Sequence, residues 1–246
     1  MLTILIGLVL GAAAFAAGVQ CFGWGSGLFL GLVGLVVPCV LIFRRVNRRV
    51  QTQMKEVERL VGAGQPERAI DRLEALRWLG RWQILLGPTI DAQIGMLRYA
   101  HIRDFERAKP YLERAAGQAW QAKLMLAAFH FRKQRYDEMV RVFERAVRRS
   151  RKEGLFWLTY AWCEWKRGQG RSALSVLARA RKELPRDERL VRMQEALQNG
   201  GKPKTRSFGP EWPGLYLEEM PRPSARPPGI TRLPPRLLRR AGVRMR

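Results

Sequence analysis

Apolar residues fill the first forty-three positions in two blocks, Leu2 to about Val19 and about Gly27 to Phe43, the second broken only by Pro38. Neither block carries a Lys, Arg, Asp or Glu. Each approaches the roughly 17–25 apolar residues that cross a bilayer as a helix. Arg44, Arg45, Arg48 and Arg49 follow at once. A basic cluster of this kind holds its end of a span on the cytoplasmic side and sits among anionic headgroups. Gln20 to Ser26 is short and Gly-rich, which suits a tight turn. The pattern therefore predicts a transmembrane helical hairpin over residues 1–43, with helices at about 2–19 and 27–43. One alternative is a single span. The other is a secretory signal ending near Ala16-Ala17, which lacks the positive start such a signal needs. Gly7 and Gly11 stand four apart, as do Gly27 and Gly31, a spacing that lets membrane helices approach closely.

Beyond Phe43 the period changes. Residues 44–199 hold little strand signal and few prolines, and apolar positions recur at helical spacing. Four segments align: 64–76, 103–115, 134–146 and 168–180. Each has a turn and a small or apolar anchor (Ala69, Ala108, Met139, Ala173). A large apolar residue follows four later (Leu73, Leu112, Phe143, Leu177). The first helix of each pair brings Val57 and Leu60, Met96 and Tyr99, Leu126 and Ala127, or Tyr160 and Ala161. Trp157 opens the first helix of the last pair and Pro185 closes the second. No repeat shows a small glycine in its first helix at the expected place. Asp187 to Asn199 reads as one more amphipathic helix, capped by Asp187, stopped by Gly200-Gly201 and packed through Leu190, Val191, Met193 and Leu197. A polar-sided terminal helix of this kind keeps a repeat array soluble.

A period near 34 with this pattern resembles the tetratricopeptide repeat over residues 50–185. The resemblance implies an all-α solenoid of about four helix pairs with a concave surface lined by each first helix. It projects Leu124, Phe131 and Arg132 of the third repeat and Leu158, Trp162, Trp165 and Lys166 of the fourth onto that surface. Aromatic anchors and basic groups there suit an acidic or C-terminal peptide of a protein partner. The competing reading makes Trp162 and Trp165 inter-helix core. The layout, a short hairpin followed by repeats, resembles the HemY-type inner-membrane proteins, which implies a bacterial inner-membrane location with the soluble part cytoplasmic.

Two irregularities stand out. The first two anchors are five residues further apart than 34, and the excess falls near Trp78 to Pro88, an apolar stretch that is either a lengthened helix pair or an exposed patch. Gly117 accounts for a shortened connection before the third repeat. No Pro or Gly occurs between Cys39 and Val61, so the second membrane helix is expected to run straight into the solenoid.

Composition then alters the picture at the end of the chain. Nine of fourteen prolines lie in residues 200–246, which are expected to form a disordered basic, Pro-rich tail with one apolar island, Trp212, Leu215, Tyr216 and Leu217. The sequence leaves open whether that island docks on the solenoid or binds a partner. The net charge is +24, with Arg far outnumbering Lys. No nucleic-acid motif accompanies it. Three scattered cysteines and two histidines make no disulfide framework, metal site or catalytic group. No enzyme activity, cofactor or metal is expected. The functional expectation is a membrane-anchored scaffold for protein–protein interaction. The alternatives are an anionic-lipid-binding structural protein and a regulatory or assembly factor for a membrane enzyme complex.

Overall fold

A computed structural model describes residues 2–22, 24–78 and 86–218. Every regular element among them is helical. The chain opens with α1 (Leu2–Phe22) and α2 (Trp24–Gly62), which fold against each other as an antiparallel hairpin. Small residues set the approach. A Cβ on Gly11 would sit 2.9 Å from Leu35 Cβ and 3.1 Å from the Gly31 carbonyl, and one on Gly31 would sit 2.9 Å from Phe15 Cβ. Of the four glycines picked out by spacing, these two pack the hairpin on itself. Its outer sides stay bare: Trp24, Leu28, Phe29, Leu32, Val40 and Leu41 are all exposed. Among the described residues no helix is long and apolar enough to cross a membrane. The full α1 sequence nonetheless runs 21 residues without a charged side chain, and several of its side chains lie outside the described set.

α2 does not stop at the chemical boundary after Phe43. It continues unbroken for 39 residues, about 58 Å at 1.5 Å per residue, and its last turns are the first helix of the first pair. Val57 in that stretch packs with Ala69, Ile70 and Leu73 of α3 (Pro66–Ala75). Three further pairs follow: α4 (Leu86–Leu97) with α5 (Phe105–Arg114), α6 (Trp120–Arg132) with α7 (Tyr136–Ser150), and α8 (Gly154–Lys166) with α9 (Gly170–Glu183). α10 (Glu188–Gln198) ends the array, with the Asp187 carboxylate accepting from the Arg189 N–H as its cap. Helices pack on their sequence neighbours, α7 meeting α8 through the Phe143 ring, and first helices also pack on one another, α4 on α6 and α6 on α8. That nearest-neighbour pattern is how a repeat array builds its core.

The anchors explain the registry. Ala69, Ala108, Met139 and Ala173 are fully buried, as are Leu73, Leu112, Phe143 and Leu177. Five residues before each anchor the backbone turns left-handed, at Gly64, Arg103, Gln134 and Gly168. The same turn thus closes all four pairs, although two of the four residues bear side chains that disfavour it. In three pairs the next N–H reaches the carbonyl five residues back, as Arg135 does to His130. In the second pair Asp104 reaches back six, to Arg98. Arg98–Ile102 there is a π-helical turn, which holds one extra residue. That residue corrects the sequence reading of the first helices. Gly95 occupies the place of Ala127 and Ala161, shifted by one, and a Cβ on it would come within 2.7 Å of the Leu112 side chain. A small glycine is therefore present in the second repeat.

Of the apolar stretch Trp78 to Pro88, residues 79–85 lie outside the described residues; Trp78 is exposed and Pro88 already belongs to α4. Gly117 lies in the turn between α5 and α6, as expected.

Candidate functional site

The first helices of pairs two to four form one face, and the chain's own continuation lies on it. After α10, Gly200 adopts a left-handed backbone and the chain turns back. Two short 3-10 turns follow, Thr205–Ser207 and Trp212–Leu215, with Phe208, Trp212 and Leu215 buried. The expectation of a tail without structure from residue 200 is corrected for residues 200–218; residues 219–246 lie outside the described residues. The reason is the apolar island: its aromatic groups find a matching apolar face on the same chain.

The segment crosses three helix pairs. At α10 the Arg189 guanidinium donates to the Phe208 carbonyl at 3.2 Å. At α8 the Trp212 ring meets Trp162 edge-on, centroids 5.2 Å apart, and Phe208 flanks Trp212 at 4.8 Å. At the second pair the Tyr99 hydroxyl donates to the Leu215 carbonyl at 2.9 Å, and the Tyr216 hydroxyl donates to the Ala100 carbonyl at 2.7 Å. Arg103 Nε donates to the Tyr216 hydroxyl, and its guanidinium lies 5.0 Å from that ring's centroid. Burial pushes the Tyr99 phenol far above its usual range, opposed by nearby Arg132, so it is a neutral donor at physiological pH.

The candidate residues divide accordingly. Trp162 is buried and touches Phe131 at 5.6 Å and Trp165 at 6.5 Å, with the Lys166 ammonium 6.0 Å from its ring. Phe131 and Trp165 are half-buried, and Lys166 is exposed. Arg132 stacks over Phe105 at 3.9 Å, beside Tyr99. Leu124 and Leu158 are buried in the helix core. Sequence reasoning did not bring Tyr99, Arg103 or Arg189 to this face. Tyr99 reads as inter-helix filler until the extra residue of the π-helical turn is counted, because one residue rotates a helical side chain by about 100°.

Arg44, Arg45 and Arg48 are exposed on α2 just past the apolar stretch, and the side chain of Arg49 lies outside the described residues.

A second feature lies between α5, α6 and α7. A cavity of about 550 Å³ is lined by Lys109, Lys123, Arg141, Arg145 and Arg149 against only Glu113 and Glu138. Arg141, Arg145 and Arg149 follow one another at i, i+4 and i+8 along α7, and none has an ion pair among the described residues. Lys123 donates to the Leu112 and Glu113 carbonyls at the end of α5, and burial lowers its pKa. His130 is buried beside Glu138, Nδ1 2.8 Å from a carboxylate oxygen. Burial outweighs that neighbour and lowers its pKa.

Comparison with known protein families, curated proteins and solved structures finds no match for this chain.

Proposed function

We propose that this chain is a membrane-anchored scaffold of the tetratricopeptide kind, mediating protein–protein interaction at the cytoplasmic face of a bacterial inner membrane. The observation that carries the reading is the first-helix face itself: it seats an aromatic chain segment through buried rings and through the Tyr99 hydroxyl aimed at the segment's Leu215 carbonyl, while Arg189 of α10 holds the Phe208 carbonyl. A surface that recognises its own chain in this way has the makeup of a peptide-binding site, with rigid aromatic anchors and a polar rim. The repeat registry and the four left-handed turns support the tetratricopeptide likeness. The hairpin supports the anchor, because its outer apolar side chains have no cover among the described residues, and a contiguous apolar surface of that kind belongs against lipid or a partner. The arginines directly after it favour a cytoplasmic solenoid. The cytoplasmic half of this reading predicts that a reporter fused after Arg246 is active in the cytoplasm.

The partner reading has a direct test. A photo-cross-linking side chain placed at the exposed Lys166 position should give one discrete adduct in intact membranes. Arg132→Glu in the same chain should reduce its yield severalfold. A chain that folds normally yet cross-links only to itself overturns the partner reading.

The anionic-lipid reading has its own observation, the unpaired arginine row on α7. Each surface arginine near an anionic headgroup contributes about 1 kcal/mol. Arg141→Ser, Arg145→Ser and Arg149→Ser together should then weaken titration of the detergent-solubilised chain by short-chain phosphatidylglycerol on the order of a hundredfold at low salt. An unchanged titration removes this reading.

A further inference from the structure

We infer that residues 205–218 are an internal ligand of the first-helix face, and that the external partner is a short peptide of the same chemistry. Such a peptide presents a Phe, a Trp and a Leu-Tyr pair at the spacing of Phe208, Trp212, Leu215 and Tyr216. The inference rests on the proposed groove and adds what occupies it and what must displace the occupant.

Three observations separate a ligand from a structural end-cap. First, the array is already capped. α10 covers the last pair, with Leu190 and Met193 buried beneath it and Asp187 capping its start. The segment starts against α10, where Arg189 holds the Phe208 carbonyl, and runs from there back to the second pair. Second, its tether lacks regular structure. Gly200 and Gly201 follow α10, and residues 201–204 hold no regular element. Third, the segment carries its own shape. The Glu218 carboxylate accepts from both the Thr205 hydroxyl at 3.0 Å and the Trp212 indole N–H at 3.2 Å. These bonds close it into a loop without help from the solenoid, and a preorganised loop loses little entropy on docking.

The contacts fix the partner's chemistry. The face offers a buried indole, Trp162, for an aromatic ring. Its Tyr99 phenol donates to the Leu215 carbonyl, and at its edges the Arg103 and α10 Arg189 guanidinium groups donate to the Tyr216 hydroxyl and the Phe208 carbonyl. Carbonyl recognition is independent of side chains, so specificity lies in the aromatic spacing. Tyr216, at φ 51°, holds a left-handed backbone that places its ring against Phe105 at 5.7 Å and Arg103. A competing segment must make the same turn there, and its Tyr accepts the left-handed backbone in exchange for the ring contact.

The experiment uses the full chain in detergent, with a protease site inserted between Gly201 and Lys202. A labelled synthetic peptide of residues 204–218 is added before and after cleavage. The expected result is saturable binding to the cleaved chain and at least about tenfold weaker apparent binding to the intact one, where the tethered copy competes. The same peptide with Trp212→Ala should bind at least about thirtyfold more weakly. Hydrogen exchange provides the second readout. Amides of 205–218 should exchange through local opening well before those of α8. If the peptide never exchanges in, or if release of the segment deprotects α8 together with it, the segment is part of the fold and the inference is overturned. Peptide exchange without any cross-linked partner at Lys166 would leave the internal ligand standing and remove the partner reading instead.

Discussion

Phe143→Ala should lower the stability of the solenoid by about 3–5 kcal/mol. Phe143 is fully buried between two repeats. Its ring lies flat on Tyr160, centroids 4.4 Å apart at 9°, and meets Phe156 edge-on at 5.4 Å. Truncation removes the ring's transfer free energy and leaves a cavity that the two helices of different pairs can only partly close. It also removes both aromatic contacts, worth about 0.5–1.5 kcal/mol each. Tyr160 loses its ring partner but keeps its hydrogen bond to Glu144, which Arg179 also grips with two nitrogens. Those bonds hold the Glu144 carboxyl below its usual range, with Arg179 the larger cause. A thermal melt of the full chain in detergent, followed by circular dichroism, should show a fall in Tm on the order of 10 °C. Arg148→Ala, on the exposed side of the same helix, should change Tm by little. Equal effects from the two substitutions would mean that Phe143 is not the link between pairs three and four.

The second large effect concerns location. Deleting residues 2–43 should move nearly all of the protein from the membrane pellet to the soluble fraction. The intact chain should resist both high salt and alkaline washing. The deleted segment is the hairpin whose outer face exposes Trp24, Leu28, Phe29 and Leu32. Each such side chain contributes about 1.5–3 kcal/mol when taken out of water, so a dozen of them outweigh any surface electrostatic attraction from the arginines. Release of the intact chain by alkaline wash would instead make the hairpin a peripheral or partner-covered element. Retention of the deletion variant at the membrane would shift the attachment to the basic surfaces.

The helical repeats were legible because their spacing reflects packing. An anchor and a large residue four later must both face the neighbouring helix, and Ala69 with Leu73 or Met139 with Phe143 show that pattern in the sequence alone. The common left-handed turn was partly legible, since Gly64 and Gly168 announce it while Arg103 and Gln134 do not. Gly95 and Tyr99 were misplaced for one reason. An inserted residue held in a π-helical turn leaves no mark in composition and shifts every preceding position by one. The docked segment was harder still. Phe208, Trp212 and Leu215 show no helical or alternating period, and proline-rich surroundings suggest an extension. Only the face that receives them, assembled from residues up to 116 positions away in sequence, explains their order.

The unbroken α2 also settles how motion passes through this chain. A Gly- or Ser-rich joint between anchor and array would let the solenoid sample many orientations. A single helix from Trp24 to Gly62, whose one proline, Pro38, lies inside the apolar hairpin, places no Gly- or Pro-containing joint between Phe43 and Val61. With the hairpin in a bilayer, as proposed, its tilt or rotation would become tilt or rotation of the first helix pair, and through stacked neighbours of the array. On that proposal the first-helix face would keep one orientation relative to the membrane. A partner embedded in the same membrane would then meet it already aligned, giving up less rotational freedom than one arriving from solution. On the proposed anchoring, selectivity for neighbours in the plane of the membrane would follow from a first helix pair that shares one continuous helix with the anchor.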